Sequence, residues 1–344
     1  MNKFGVQYLN EALEKELRKK VCISDLRAEN KEIRKTLKKF QQGYTKRNLE
    51  EIDSFMKKIF IDSHETSILG TGTGELALGI DEVRNLIEDD WKYWGDINID
   101  CENANISRFE DVAWVSTKGS VKYIFEDTLE RYDNYLSFIK DKVHDDTLTP
   151  KQKVTYINWI LALTYHQRLQ GKREYLWPLG LSGVLLRDKD RWKFKHIKFS
   201  IPRANFPDER FENSKQYTDS YNEQNNKANE YKYNQITPQI KKLLKSFQVD
   251  ILGIEDITKE MIEKYFVKSK IPYIIGPENQ WYYGIDQINE FFNKSDKFNV
   301  NLDIEHSIAS TSGEITWQEN IKMGPYHITM QTLMGLSIIV ILFI

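Results

Sequence analysis

Apolar residues recur at helical spacing early in the chain. Leu49, Ile52, Met56, Ile59 and Phe60 predict an amphipathic helix over residues 47–60. Residues 81–93 predict another, with Asp81 as its N-cap and Val83, Leu86, Ile87 and Trp91 on one face. Between them, Ser67-Ile-Leu69 runs into Gly70-Thr-Gly-Thr-Gly74, a strand breaking into a turn, and Glu75-Leu-Ala-Leu-Gly79 reads as a short second strand. The period then changes to two. Alternating runs at 96–106, 110–118, 119–126, 180–187 and 191–201 predict strands, with a turn at Arg187-Asp-Lys-Asp190. A helical insertion, 127–143 and 150–170, interrupts them; Thr149-Pro150 opens its second part as a cap followed by a first-turn proline. On the closing strand, alternation puts Trp192, Phe194, His196 and Lys198 on one face and Lys193, Lys195, Ile197 and Phe199 on the other. The order of elements is an α+β plan, an antiparallel sheet curled around helices into a cone with an apolar mouth.

The pattern recurs. Ile33-Arg-Lys-Thr-Leu-Lys-Lys-Phe-Gln41 returns as Ile240-Lys-Lys-Leu-Leu-Lys-Ser-Phe-Gln248, and Leu69-Gly70 as Ile275-Gly276. Gly79-Ile-Asp-Glu-Val83 returns as Gly284-Ile-Asp-Gln-Ile288, and the stretch from Ile97 to Trp114 as that from Val300 to Trp317. Four blocks in one order predict a duplicated domain. The expected boundaries are an N-terminal helical extension at 1–29, a complete domain at 30–211, a polar linker at 212–237 and a second, incomplete domain at 238–344. The linker is rich in Asn, Gln, Lys, Glu and Tyr, so no packed face runs through it. The second copy has 27 residues after Trp317, too few for the insertion helices and the two closing strands. In their place stands the apolar run Leu333–Ile344, for which three readings stay open: a substitute edge strand or covering helix, a tail left by truncation, or a weak membrane anchor. The run is shorter than the roughly 20 residues a membrane span needs, so no membrane span is expected.

Composition narrows the partners. Lys plus Arg number 49 against 51 Asp plus Glu, a formal charge of −2, which argues against a nucleic-acid binder. Two cysteines, Cys22 and Cys101, make neither a disulfide framework nor a Cys-rich zinc site. No signal-peptide-like apolar stretch opens the chain, so a cytoplasmic setting is the expectation. The histidines, His64, His144, His166, His196, His306 and His327, form no pair at ligand spacing, so neither a metal nor a cofactor is expected. Gly70–Gly74 lacks the Lys-Ser/Thr of a phosphate loop, and the next helix starts too late for a dinucleotide fingerprint.

Thr71-Gly72, Glu75 and Gly79, the Asp90-Trp91 helix end, Val112-Ala-Trp114, and Trp192–Pro202 followed by Arg203 and Phe206-Pro-Asp208 form an ordered set. Over residues 30–211 that set resembles the SnoaL-like branch of the nuclear transport factor 2 superfamily. The resemblance implies a cone-shaped pocket in which a carboxyl group buried among aromatics moves a proton, because desolvation raises its pKa into a useful range. Glu75 and Asp90 are the candidates; the alternative is that they fix a turn and a cap. The family commonly places a histidine where this chain has Lys198. Trp91, Trp114, Tyr123, His196 and Lys198 are the expected pocket lining, and plain core packing of the aromatics is the competing reading.

Three functions therefore stay open: binding of an unidentified small molecule in the first cone, metal-free acid–base catalysis of the isomerase, cyclase or dehydratase type, and an interaction module. In the last, the outer face of the sheet pairs with another copy or, within one chain, with the second domain.

Overall fold

The computed structural model describes residues 23–71, 75–126, 128–167, 172–200, 222–223, 226–233, 235–254, 256–266, 272–276, 280–294, 302, 304–305, 307–312, 315–319 and 340–343. Helix α1 (Ile23–Lys46) places Ile33, Leu37, Phe40 and Tyr44 in one buried column at three- and four-residue steps. A 3₁₀ turn at Leu49–Glu51, capped by the Asn48 side chain, leads into α2 (Ile52–Ile59), which buries Ile52, Met56 and Ile59. Strands β1 (Ser67–Leu69) and β2 (Leu76–Leu78) form a hairpin ahead of α3 (Ile80–Tyr93). The N-cap of α3 is Gly79 at φ 85°, not Asp81, which lies in the first turn. Glu82 explains the shift: its carboxylate accepts from the Leu78 N–H at 2.8 Å, so the chain closes two residues earlier.

Strands β3 (Asp96–Ile99), β4 (Asn105–Phe109), β5 (Val112–Glu126), β6 (Lys172–Asp188) and β7 (Arg191–Ser200) complete the sheet. Its order is β2-β1-β7-β6-β5-β3, with β4 also on β5; every pairing is antiparallel except β1 with β7. The runs at 110–118 and 119–126 are one strand. The insertion is a hairpin of α4 (Leu129–His144) and α5 (Pro150–Gln167), with Thr149 and Gln152 exchanging capping bonds at the start of α5. The core lies between α1–α3 and one face of the sheet: Ala113, Val115 and Val121 of β5, Leu179, Leu181 and Leu185 of β6, and Trp192, Phe194, Ile197 and Phe199 of β7.

That last set breaks strict alternation. Val184 pairs with His196 but Leu185 with Phe194, so Lys195 is an extra residue on β7. The bulge returns Ile197 and Phe199 to the core face and turns His196 and Lys198 to the outer one, a correction to the expected alternation. Lys195 is 4% exposed. Its ammonium is held by Ser63 Oγ at 2.7 Å and by the Glu65 carboxylate at 3.0 Å, which pins the bulge to the loop before β1.

The second half runs α6 (Pro238–Phe247), a π turn at Gln248–Leu252, α7 (Lys259–Glu263), the hairpin β8 (Tyr273–Ile275) and β9 (Trp281–Tyr283), and α8 (Gly284–Lys294). Strands β10 (Ile308–Ser312), β11 (Ile315–Glu319) and β12 (Val340–Phe343) follow as a separate antiparallel sheet. Ile240, Leu244 and Phe247 are buried on α6 as Ile33, Leu37 and Phe40 are on α1. Gly284, at φ 75°, opens α8 as Gly79 opens α3. Tyr283 N–H donates to Gln287 as Leu78 N–H does to Glu82. Within the apolar run at the end, residues 340–343 pair with β11, the edge-strand reading.

The second half sits against the outer face of the first sheet. Tyr273 Oη donates to Ser116 Oγ at 3.0 Å, and the Asn105 amide donates to Tyr283 Oη at 2.9 Å. Trp281, Tyr273 and Tyr283 pack as a cluster of three rings, each within 6.0 Å of the other two. Ile308 and Ala228 cover Leu76 and Leu78 of β2. Burial pushes the Tyr273 phenol up to about 12. The sequence expectations for residues 1–22, for Gly72–Gly74 and for the side chains of Tyr123 and Trp317 lie outside what is described.

Candidate functional site

At the open end of the first core, three elements converge on one cavity. The β1–β2 hairpin supplies Gly70, Thr71 and Glu75, α3 supplies Leu86 and Asp90, the residue after it is Trp94, and β7 supplies Phe199. The hairpin is closed by a bond from Gly70 N–H to the Glu75 carbonyl at 2.8 Å. The Glu75 side chain then folds back so closely that a Cβ at Gly70 would collide with Glu75 Oε2. With the side chains as they stand, the space between these residues has room for about one water molecule.

Asp90 is the chemical centre of this cavity. It occupies the last turn of α3, one residue before Trp91, which turns inward to the core at 5% exposure. Part of Asp90 stays open at the cavity mouth, but its carboxyl reaches the Tyr44 hydroxyl, which donates to Oδ2 at 2.7 Å. Burial is the dominant influence on that carboxyl and holds its pKa well above the ordinary aspartate value; the negative charge of Glu75 pushes the same way. Tyr44, fully buried at the end of the α1 column, is raised too, by burial first and then by Asp90. Burial and the nearby charge of Glu75 let Asp90 keep its proton to higher pH than a solvated aspartate. The arrangement therefore offers a hydrogen-bond donor at Asp90 beside an acceptor at Glu75.

Of the expected site residues, the structure brings Glu75 and Asp90 together. Trp91 stands behind the cavity, edge-on to Tyr44 at 6.4 Å and to Phe55 at 4.9 Å, and its Nε1 has no hydrogen-bond partner among the described residues. Trp114 lies on the opposite face of the sheet, packed with Val112, Val184, Phe109 and Leu186. His196 is buried on that same outer face with Nδ1 2.9 Å from Ser67 Oγ, and Lys198 pairs with Ser182 beside it. None of these three lines the cavity, and the bulge at Lys195 is the reason for the last two. Tyr44, Trp94 and Phe199 do the work expected of them. A signal for two existed: Tyr44 continues the Ile33-Leu37-Phe40 period, and the apolar positions 192, 194, 197 and 199 slip phase by one.

Residues 33–139 match the SnoaL-like domain family. This part of the chain is a SnoaL-like domain. Among solved structures, the chain is similar to a nuclear transport factor 2-like superfamily protein of Salmonella enterica serovar Typhimurium LT2, at 12% identity over 50% of this chain and 90% of that one, with a TM-score of 0.32. It is also similar to a protein of that type and of unknown function from Shewanella oneidensis MR-1, at 11% identity over 49% and 97% of the two chains, TM-score 0.28. A third is a Caulobacter vibrioides protein with a cystatin-like fold, at 11% identity over 50% and 87%, TM-score 0.30. No match to a curated protein was found. In the SnoaL-like domain, as elsewhere among the described residues, no three His, Cys, Asp or Glu side chains converge as a metal site, and no helix is long and apolar enough to cross a membrane.

Proposed function

We propose that the SnoaL-like domain binds a small, uncharged organic molecule at its cone mouth, held between Asp90 as donor and Glu75 as acceptor. The observation that carries this is the Asp90 carboxyl, buried against Tyr44 in a cavity whose other walls are Leu86, Trp94 and Phe199. A carboxyl kept there costs stability that simple core packing does not require, whereas a ligand with one polar edge and an apolar body uses it. With room for about one water as the side chains stand, the cavity admits an organic molecule only when Trp94 or Phe199 shifts. Native mass spectrometry of the full chain, purified without denaturation, should show a bound small organic molecule. The E75Q and D90N variants should lose it. An empty wild-type protein, or a ligand kept by both variants, overturns the reading.

The raised pKa of Asp90 supports a second reading, proton transfer to or from the bound molecule. For a molecule identified in this way, D90N should abolish any turnover while the melt stays within a few degrees of wild type; retained turnover would sink it. The positions of Tyr273 and Tyr283 support the pairing idea in its internal form, with a degenerate second copy serving as the partner of the first sheet.

A further inference from the structure

The hairpin inserted between β5 and β6 carries an apolar column that its own packing does not use. On α4, Leu129, Leu136 and Val143 follow one another at seven-residue steps and are 85%, 64% and 40% exposed. Tyr132 and Ile139 fall three residues after the first two and are half-buried. Seven-residue recurrence with a second apolar position three residues on is the pattern by which one helix seats against another. The side of α4 that does pack is a different one. There Phe138 meets Tyr93 of α3 at 4.8 Å and Tyr156 of α5 at 5.8 Å, and Lys142 pairs with Asp89. A contiguous exposed apolar stripe of this kind marks an interaction surface.

Charge decides the occupant. Asp133 and Lys140 are exposed, sit one heptad apart at the same flank of the column, and neither side chain bonds to a described residue. Leu136 lies between them, three residues after Asp133 and four before Lys140. A two-fold axis near Leu136 that sets α4 antiparallel to an identical helix places each Asp133 opposite the other copy's Lys140. Parallel pairing gains no such ion pair, because Tyr135 and Lys142 occupy the other flank. The stripe is self-complementary, which is what an isologous interface requires. The outer face of the sheet is already covered by the second half of the chain. We propose that two copies of this chain associate through α4, antiparallel about Leu136, with Leu129, Leu136 and Val143 at the seam and two Asp133–Lys140 pairs at its edge.

Sedimentation of the full chain across about 1–100 µM, a range that brackets ordinary reversible dimers, tests this. Wild type should show a dimer. L136D should raise the dimer dissociation constant by about tenfold or more, as removal of a central anchor does. Compared at a concentration low enough that both are monomers, its thermal melt should match that of wild type, because Leu136 is exposed within one chain. D133K should weaken the dimer by about threefold or more, and the swap D133K/K140D should recover most of that loss. A wild-type chain that is monomeric throughout, or a dimer indifferent to L136D, overturns the proposal. A charge swap that fails to recover the dimer overturns the antiparallel arrangement.

Discussion

The buried carboxyl of Asp90 has a consequence for stability that separates its two possible states. Its pKa in the folded chain is raised, so folding holds a proton that the unfolded chain releases above its ordinary value of 3.8. The stability that Asp90 contributes is thus complete below that value and is lost as pH rises through the folded-state pKa. The amide that replaces this carboxyl in D90N does not titrate, yet its oxygen can still accept from Tyr44. D90N should therefore gain on wild type as pH rises from about 4.5 to 8, with each kcal/mol seen as about 2–4 °C in the melt. Thermal melts of the two proteins over that range check it; a difference that stays flat with pH means the carboxyl is solvated and charged. Y44F gives the converse. It leaves an Asp90 oxygen without its donor at a fully buried position and should cost about 1–3 kcal/mol. In the D90N background the loss should be smaller, because Tyr44 and Asp90 are in contact and their effects do not add.

Elements show where local pattern reaches and where it stops. Helix α3 is legible because Val83, Ile87 and Trp91 keep one period and nothing in the segment competes with it. Its first turn is not, because the signal lies in backbone conformation: a positive φ at Gly79 and a carboxylate of Glu82 reaching backwards. The Asp90–Glu75 meeting was legible only as two candidates; what joins them is the hairpin that folds Glu75 over Gly70, a contact between segments. The facing of His196 and Lys198 misleads strict alternation, since the bulge is fixed by Lys195 binding Ser63 and Glu65 more than a hundred residues earlier. Gly79 and Gly284 allow this level to be tested as a pair. Both have positive φ, so alanine at either is strained by about 1–3 kcal/mol from the backbone alone. Only at Gly79 would the new Cβ also meet a neighbour, the Tyr231 hydroxyl at 2.6 Å, whereas nothing lies within 4 Å at Gly284. G79A should thus be the more destabilising in urea unfolding; equal losses would mean that Tyr231 moves aside freely.

At the scale of the molecule, the two halves differ in what holds them. The first has a continuous core between three helices and the sheet, while the second has a smaller one around Phe247, Ile251, Ile262 and Ile288. A small core leaves little margin over conformational entropy, so contacts with a neighbour weigh more. Those contacts centre on one cluster of three rings. Trp281 stacks on Tyr273 with centroids 5.4 Å apart and on Tyr283 at 6.0 Å, and the Lys118 ammonium of the first sheet lies 5.9 Å from its ring. Tyr273 and Tyr283, themselves 5.8 Å apart, make the hydrogen bonds to Ser116 and Asn105, and the Trp281 ring packs against both of them. W281A removes the stack and the cation–π contact and frees Tyr273 and Tyr283 to turn, at a cost of about 2–4 kcal/mol. Spread over a unit of about 100 residues, that is a drop of about 8 °C or more. Scanning calorimetry should resolve it as an early transition of the second half, with the main transition of the first half in place. V249A, at a position 67% exposed in the same half, should move neither. If W281A shifts the second half no more than V249A does, the ring cluster does not hold the halves together, and the second half is stable on its own small core.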